Sequence, residues 1–96
     1  MKLKSICATP GVDKAMKEVT MFASFVRDCL DRFFSGDYGD ICEEDDVLNT
    51  RARLMGERIL ASYDTDLVPE KRVWICAEAE DDFGERHMTV LFPSEY

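Results

Sequence analysis

The sequence lacks long hydrophobic runs, and this limits where the protein can act. Nowhere do roughly 18 apolar residues follow one another, the length that a membrane-spanning helix requires. The first residues also lack an apolar run long enough to form a signal peptide. We therefore expect a cytoplasmic protein that has no membrane partner.

Basic residues are scarce as well. Twelve Lys and Arg face twenty Asp and Glu, which gives a net charge of -8 and an isoelectric point near 4.5. Nucleic acids and anionic membranes attract proteins through Lys and Arg, so direct binding to either is disfavoured. A basic protein is the partner that this charge predicts.

Catalytic motifs are absent. The sequence has no HExxH, no Walker pattern and no phosphate-binding glycine loop. Its single histidine, His87, lies beside Arg86 without a motif that would pair it with a nucleophile, and Cys7 and Cys42 have no basic neighbour in sequence to lower their pKa. We predict a noncatalytic protein and assign no catalytic residue and no cofactor.

The four cysteines show no CxxC spacing of the kind that metal and redox sites use. In the cytosol their thiols stay reduced. Cys29 and Cys76 fall at apolar positions and are predicted to be buried, as free cysteines commonly are. Only Cys42, in an acidic stretch, is expected to be exposed.

A chain of 96 residues has room for one domain with one core. Its periodicity predicts an α+β domain over residues 1–96, in which a short N-terminal strand and two to three helices pack on a C-terminal three- to four-stranded antiparallel sheet. The first strand is a candidate for one edge of the sheet. The predicted strands are 3–8, 57–63, 72–80 and 87–92, and the predicted helices are 12–17, 21–34 and a third that ends near residue 55, before Gly56.

Two of these helices have apolar positions at helical spacing. In the helix predicted over 21–34, we expect the inward residues to be Phe22, Phe25, Val26, Cys29, Leu30 and Phe33. In the third predicted helix, the inward residues are expected to be Val47, Leu48, Ala52 and Met55.

The most unusual segment is residues 35–46, SGDYGDICEEDD, which has no basic residue. Asp40 precedes Glu43 by three positions, which predicts a capping box at the start of the third helix. The acids that follow would then meet the positive end of the helix dipole. Its carboxylates could also bind a cation weakly, but the spacing of an EF-hand is missing and we assign no metal site. They are Asp37, Asp40, Glu43, Glu44, Asp45 and Asp46.

A second acidic group follows the middle strand and comprises Glu78, Glu80, Asp81, Asp82 and Glu85, so that the two groups hold eleven of the twenty acidic residues. If the fold places both groups on one side, they would form a continuous negative face with Tyr38 and Phe83 as aromatic anchors. Such a face could imitate nucleic-acid phosphates and occupy the basic groove of a nucleic-acid-processing protein. The simpler interpretation is that the charge keeps a small domain soluble. The predicted partner-binding residues are Asp37, Tyr38, Asp40, Glu43, Glu44, Asp45, Asp46, Glu80, Asp81 and Asp82.

Several segments resemble one family across nearly the whole chain. They are GVDK, FASFVRDCLDRF, SGDYGDICEED, GERILASYD, VWICAEAED and TVLFPSEY. The chain is similar to a family of short uncharacterised acidic proteins, labelled plasmid-related, of low-GC Gram-positive bacteria and their mobile elements. It departs from the family pattern at Tyr38, where many relatives have Trp, in the longer turn around Asp82–Arg86, and at Pro10. The resemblance implies a mobile-element setting and does not imply a mechanism.

Two hypotheses follow. In the first, the chain is a noncatalytic acidic interaction protein of a mobile element, an inhibitor that imitates nucleic acid and blocks a host defence nuclease of the restriction or CRISPR type. In the second, it is a small accessory or regulatory domain that dimerises or binds a protein through a sheet edge or an apolar surface. Both leave open whether the protein is a monomer or a homodimer.

Overall fold

The computed structural model describes all residues, Met1–Tyr96. It confirms the predicted α+β fold. The elements in chain order are β1 (Lys2–Ala8), α1 (Pro10–Glu18), α2 (Phe22–Phe34), α3 (Glu43–Met55), β2 (Ile59–Asp64), β3 (Arg72–Ala77), β4 (Glu85–Leu91) and a short 3-10 turn (Pro93–Glu95).

The four strands form one mixed sheet in the order β1-β4-β3-β2. The hairpin pairs β2–β3 and β3–β4 are antiparallel, as predicted, whereas β1 runs parallel to β4 at one edge. A parallel pair needs a long crossover connection, which the helices and the other two strands supply here. The N-terminal strand therefore joins the edge of the sheet, but in the parallel direction.

The helices α1 and α2 cover one face of this sheet. The predicted apolar stripe of α2 is confirmed, since Phe22, Val26, Cys29 and Phe33 are buried and Phe25 and Leu30 pack against them. The strands contribute every second side chain to the same core, because alternate residues of a strand point to the same face. These core residues are Ile59, Ala61, Tyr63, Val73, Ile75, Ala77, Met88 and Val90.

One charged side chain is buried with these apolar ones. Arg86 of β4 is only 1 % exposed, and its guanidinium donates hydrogen bonds to four backbone carbonyl oxygens. These belong to Glu57 (2.6 Å), Glu78 (3.2 Å), Ala52 (3.3 Å) and Arg53 (3.5 Å). The Ala52 carbonyl also accepts from the Gly56 and Glu57 amides, whereas the Arg53 carbonyl, one of the last of the helix, takes its donor from Arg86. Arg86 therefore joins the C-terminal end of α3 to the sheet.

Replacing Arg86 with Met should lower the free energy of unfolding by about 3 kcal/mol, because buried carbonyl groups lose their donors. Urea denaturation followed by circular dichroism measures the change. The free energy of unfolding of Arg86→Lys should fall between those of wild type and Arg86→Met. The ammonium group keeps a donor but cannot reproduce the planar fork of the guanidinium.

The matched control is Arg27→Met, at an exposed position of α2. It should shift the unfolding free energy by less than about 0.5 kcal/mol. Equal stability of the Arg86→Met and Arg27→Met variants would contradict the anchoring role of Arg86.

Candidate functional site

The first acidic segment is divided between two structural elements. Gly39 forms a parallel bridge to Ser62, so residues 38–40 lie along the free edge of β2. The Asp40 amide donates to the Ser62 carbonyl (2.6 Å), and the Ser62 amide donates to the Tyr38 carbonyl (3.2 Å). The Asp40 carboxylate accepts from the Asp64 amide (2.8 Å). Asp40 therefore covers the edge of β2.

The predicted capping box is consequently wrong. The residue before α3 is Cys42, and no side chain caps the helix. Asp40 lies two residues before Cys42, and its carboxylate is bonded to the Asp64 amide of β2 instead of to the helix amides. The acids at positions 43–46 fill the first turn of α3, as predicted, where the helix dipole stabilises negative charge.

Tyr38 is not a surface anchor. It is 2 % exposed, and its ring packs in a T-shaped arrangement with Phe33, with 5.5 Å between ring centroids. Burial of an aromatic ring at this point is stabilising, since large rings contribute most to a small core. Of the two predicted aromatic anchors, only Phe83 is exposed.

Asp37 is held by the end of α2. Its carboxylate accepts from the Arg32 guanidinium (2.7 Å) and from the Gly39 amide (3.0 Å). The hydrogen bond from Arg32, followed by that from Gly39, holds the pKa of Asp37 below its ordinary value. The Asp37 carbonyl accepts from the buried Tyr63 hydroxyl (2.7 Å). This acid therefore has a structural role in placing the edge segment.

The carboxylates of Glu43, Glu44, Asp45 and Asp46 have no such partners. All four residues are exposed. None of these side chains is within ion-pair distance of a Lys or Arg, although the chain has ion pairs elsewhere. Their carboxylates are therefore solvated and have no ion-pair partner within the chain.

The apolar residues of α3 point away from the core, which is the opposite of the sequence expectation for three of them. Val47, Leu48 and Met55 are 61 %, 60 % and 62 % exposed, and Leu54 is 83 % exposed. Of the four residues predicted to point inward, only Ala52 is buried. The physical reason is Asn49, which is buried and bonds through its amide group to the edge of β2.

Asn49 donates to the Leu60 carbonyl (2.8 Å) and accepts from the Leu60 amide (3.4 Å). The Leu60 amide and carbonyl at the edge of β2 need hydrogen-bond partners, so the side of α3 that carries Asn49 turns toward the sheet. The opposite side is left open. We call it the α3 outer face, and at helical spacing it comprises Glu43, Glu44, Val47, Leu48, Arg51, Leu54 and Met55.

The second acidic group lies in the β3–β4 turn, and two of its three predicted site residues have structural partners. The Asp81 carboxylate accepts from the Glu85 and Phe83 amides (2.9 Å each) and lies 3.7 Å from Lys4. The two amide hydrogen bonds lower the pKa of Asp81. Glu80 lies 3.9 Å from the Arg86 guanidinium, and Asp82 is exposed.

The fold does not merge the two acidic groups into one face along α3. The Glu80 amide donates to the carbonyl of Gly56, the residue that ends α3, while Glu43 begins it. A helix of 13 residues is about 20 Å long, so the two groups lie at opposite ends of that length. Between them lie the exposed apolar residues of the α3 outer face.

A groove opens between the start of α3 and the sheet. Its volume is about 480 Å³. Its lining combines the carboxylates of Asp40 and Asp45 with Leu48 of α3 and with Arg72 and Trp74 of β3. Sequence analysis did not find this groove, because the two sides come from elements far apart in the chain.

The side chains that could act as nucleophiles or bases are the Ser5 hydroxyl, the His87 imidazole and the four cysteine thiols. The Ser5 hydroxyl and His87 Nδ1 are 2.6 Å apart at exposed, paired positions of β1 and β4, but no cavity is lined by either residue. Cys29 and Cys76 are buried as predicted, and burial raises the pKa of Cys29 to about 12. Cys42 is exposed, as predicted. Cys7 is exposed as well, which was not predicted; it lies on β1, an edge strand of the sheet.

Two further features concern metals and membranes. No group of three or more His, Cys, Asp or Glu side chains is arranged to hold a metal ion. The helices are all too short or too polar to cross a membrane.

Comparison with known proteins gives no assignment, since no family model, curated protein or solved structure matches the chain.

Gly39→Ala should destabilise the protein because a Cβ atom there would collide with the Ser62 backbone and the Tyr63 ring. Gly39 also has a φ of +84°, which L side chains rarely adopt. The control is Gly84→Ala, which has a similar φ of +73° but open space around its Cβ position. We expect the Gly39 variant to lose at least about 2 kcal/mol more than the control in urea denaturation. Equal losses would contradict the close approach of the edge segment to β2.

Asp37→Asn should lower the free energy of unfolding at pH 7. The pKa of Asp37 is lowered in the folded protein, so its contribution is complete above the unfolded pKa, near 3.8, and disappears as the pH falls through the folded pKa. The difference between wild type and variant should therefore shrink only below about pH 4. The control is Asp31→Asn, which removes an exposed carboxylate of α2 and should change the free energy of unfolding at pH 7 by less than about 0.5 kcal/mol. A difference that is constant from pH 7 to pH 2 would exclude this role.

Proposed function

We propose that the chain is a noncatalytic interaction protein that binds a basic protein partner through the α3 outer face. The observation that carries the proposal is the exposure of Val47, Leu48, Leu54 and Met55 on one side of a helix. Exposed apolar patches on small proteins commonly mark interaction sites. The unpaired carboxylates at the start of the same helix give this surface its preference for a basic partner.

The two parts of the surface have different roles in binding. Long-range attraction between the net charge of -8 and a basic partner increases the rate of encounter. Apolar contact along α3 then lengthens the lifetime of the complex, because burial of apolar area does not weaken with salt as charge attraction does.

The partner class that we propose is a nucleic-acid-processing enzyme, such as a defence nuclease, which the protein would inhibit. Enzymes of this class have basic grooves that attract phosphates, and a cluster of carboxylates can occupy such a groove in place of nucleic acid. The resemblance to proteins of mobile elements supports this choice, since these elements benefit from blocking host nucleases.

Association of two copies through the same surface is less favoured. Each copy has a net charge of -8, and Glu43 and Glu44 lie on the outer face itself. Arg51 is the only cation on that face to offset them. Like charges oppose association most strongly at low salt, so we propose a monomer that binds a different protein.

The test is capture from a lysate of the native bacterium with the tagged protein and two variants of equal net charge. One variant replaces Glu43, Glu44 and Asp46 by their amides, and the control replaces the exposed Glu18, Asp28 and Asp31 by theirs. Both change the net charge from -8 to about -5. We expect a basic protein to be captured by wild type and control and to be reduced about tenfold with the first variant. Equal capture by both variants would exclude a specific role for α3.

The apolar part of the surface is tested with Leu54→Gln and Met55→Gln together. Both side chains are exposed, so stability should change little. With the captured protein purified, we expect its dissociation to be several times faster from this variant than from wild type. Unchanged dissociation would mean that charge alone mediates binding. Light scattering at about 0.15 M salt tests the alternative of a dimer, which would appear as a doubled mass.

A further inference from the structure

The groove beside α3 has a chemistry that suits one kind of side chain. Asp40 and Asp45 contribute carboxylates, Trp74 an indole ring, and Leu48 and Leu60 aliphatic groups. A volume of about 480 Å³ lies within the range of ligand-binding clefts, roughly 300–1,000 Å³. The groove is thus a cavity with an acidic and an aromatic part.

Both carboxylates can accept further hydrogen bonds. Asp45 has no hydrogen-bond or ion-pair partner within the chain, and Asp40 uses only one carboxylate oxygen, toward the Asp64 amide. The only basic residue in the lining, Arg72, is already 3.7 Å from the Asp64 carboxylate. The local charge of the groove is therefore negative and not balanced from within.

Trp74 adds a flat π surface. It is partly buried, and its ring system packs nearly perpendicular to the Tyr96 ring, with 5.4 Å between ring centroids and an angle of 77° between the planes. On the same face of the sheet, the Arg58 guanidinium lies over the Tyr96 ring at 5.1 Å. An indole is the strongest cation–π acceptor among side chains, and a guanidinium is weakly hydrated and planar, so it stacks on such rings more readily than an ammonium group.

We propose that this groove binds an arginine side chain of the basic partner. Its alkyl part would contact Leu48 and Leu60, and its guanidinium would meet Asp45 and the indole of Trp74. The proposal rests on the proposed function, and it extends it by naming the residue type that the partner contributes. Leu48 belongs both to the groove and to the α3 outer face, so one partner can engage the two together.

The experiment uses the fluorescence of Trp74, which is the only tryptophan in the chain. Three peptides are titrated at about 0.15 M salt, namely tetra-arginine, tetra-lysine and tetra-citrulline. We expect a saturable change in Trp74 fluorescence with tetra-arginine, binding several times weaker with tetra-lysine, and none with uncharged tetra-citrulline.

The matched variants are Asp45→Asn and Asp31→Asn, which remove one exposed carboxylate each. The first should weaken tetra-arginine binding by about fivefold to tenfold, and the second should leave it within twofold of wild type. Equal effects of the two variants, or equal affinity for tetra-arginine and tetra-lysine, would overturn the arginine groove and leave only general charge attraction.

This outcome is separable from that of the proposed function, because the lysate experiment leaves Asp45 and Trp74 unchanged. Loss of tetra-arginine specificity with intact capture by α3 would reject the groove alone. Arginine binding in the groove without any dependence of capture on Glu43, Glu44 and Asp46 would reject the α3 surface alone.

Discussion

The buried guanidinium of Arg86 is the group on which the position of α3 depends. It lies among apolar side chains, where an unpaired charge would be strongly unfavourable. Four backbone carbonyls surround it, and two of them, those of Ala52 and Arg53, belong to the last turns of α3. The negative end of a helix dipole favours a cation at this place. The end of α3 is therefore held by a network that only a forked donor can complete.

The edge of β2 imposes the second constraint. An exposed edge strand invites pairing with other chains, and here residues 38–40 and the Asn49 amide cover it. Because Asn49 must point at Leu60, the side of α3 opposite to it is turned outward. The exposed apolar residues are thus the consequence of a polar requirement on the other side of the helix. The functional surface that we propose is fixed by the same contacts that fix the fold.

The sequence predicted the structure correctly where a local pattern of residues had a simple structural meaning. The stripe from Phe22 to Phe33 is typical of a helix packed on apolar surface, and Gly56 ends α3 in the left-handed conformation, with a φ of +73°. It failed where an apolar pattern was assumed to face the core. In α3 the periodicity identifies which residues share a face, but burial was decided by Asn49, whose partner lies eleven residues away. Arg86 was missed for a different reason, since the predicted strand began at residue 87 whereas β4 begins at Glu85.

The candidate site was predicted only in part for the same reason. The exposed acids at 43–46 follow from a helix dipole and from solvation, both of which are local. Tyr38 and Asp40 could not be placed, because a parallel bridge from Gly39 to Ser62 is a contact across more than twenty residues. The groove depends on the same bridge, since it holds Asp40 against the edge of β2, and the other lining residues include Arg72 and Trp74 of the neighbouring strand β3. Long-range contacts of this kind leave no periodic signal in a single sequence.

The arrangement of charge favours an oriented complex over unspecific attraction. The unpaired carboxylates gather at one end of α3, whereas Glu80 and Asp81 at the other end are near Arg86 and Lys4. Under the proposed function, a partner with a basic region would be attracted mainly to the first end, and the apolar residues between the ends would then determine how it lies along the helix. Nucleic acid presents its phosphates at regular intervals, which this helix does not reproduce over its length. The inhibition that we propose would therefore combine charge at one end with apolar contact, and the partner would recognise this protein by a surface that nucleic acid does not have.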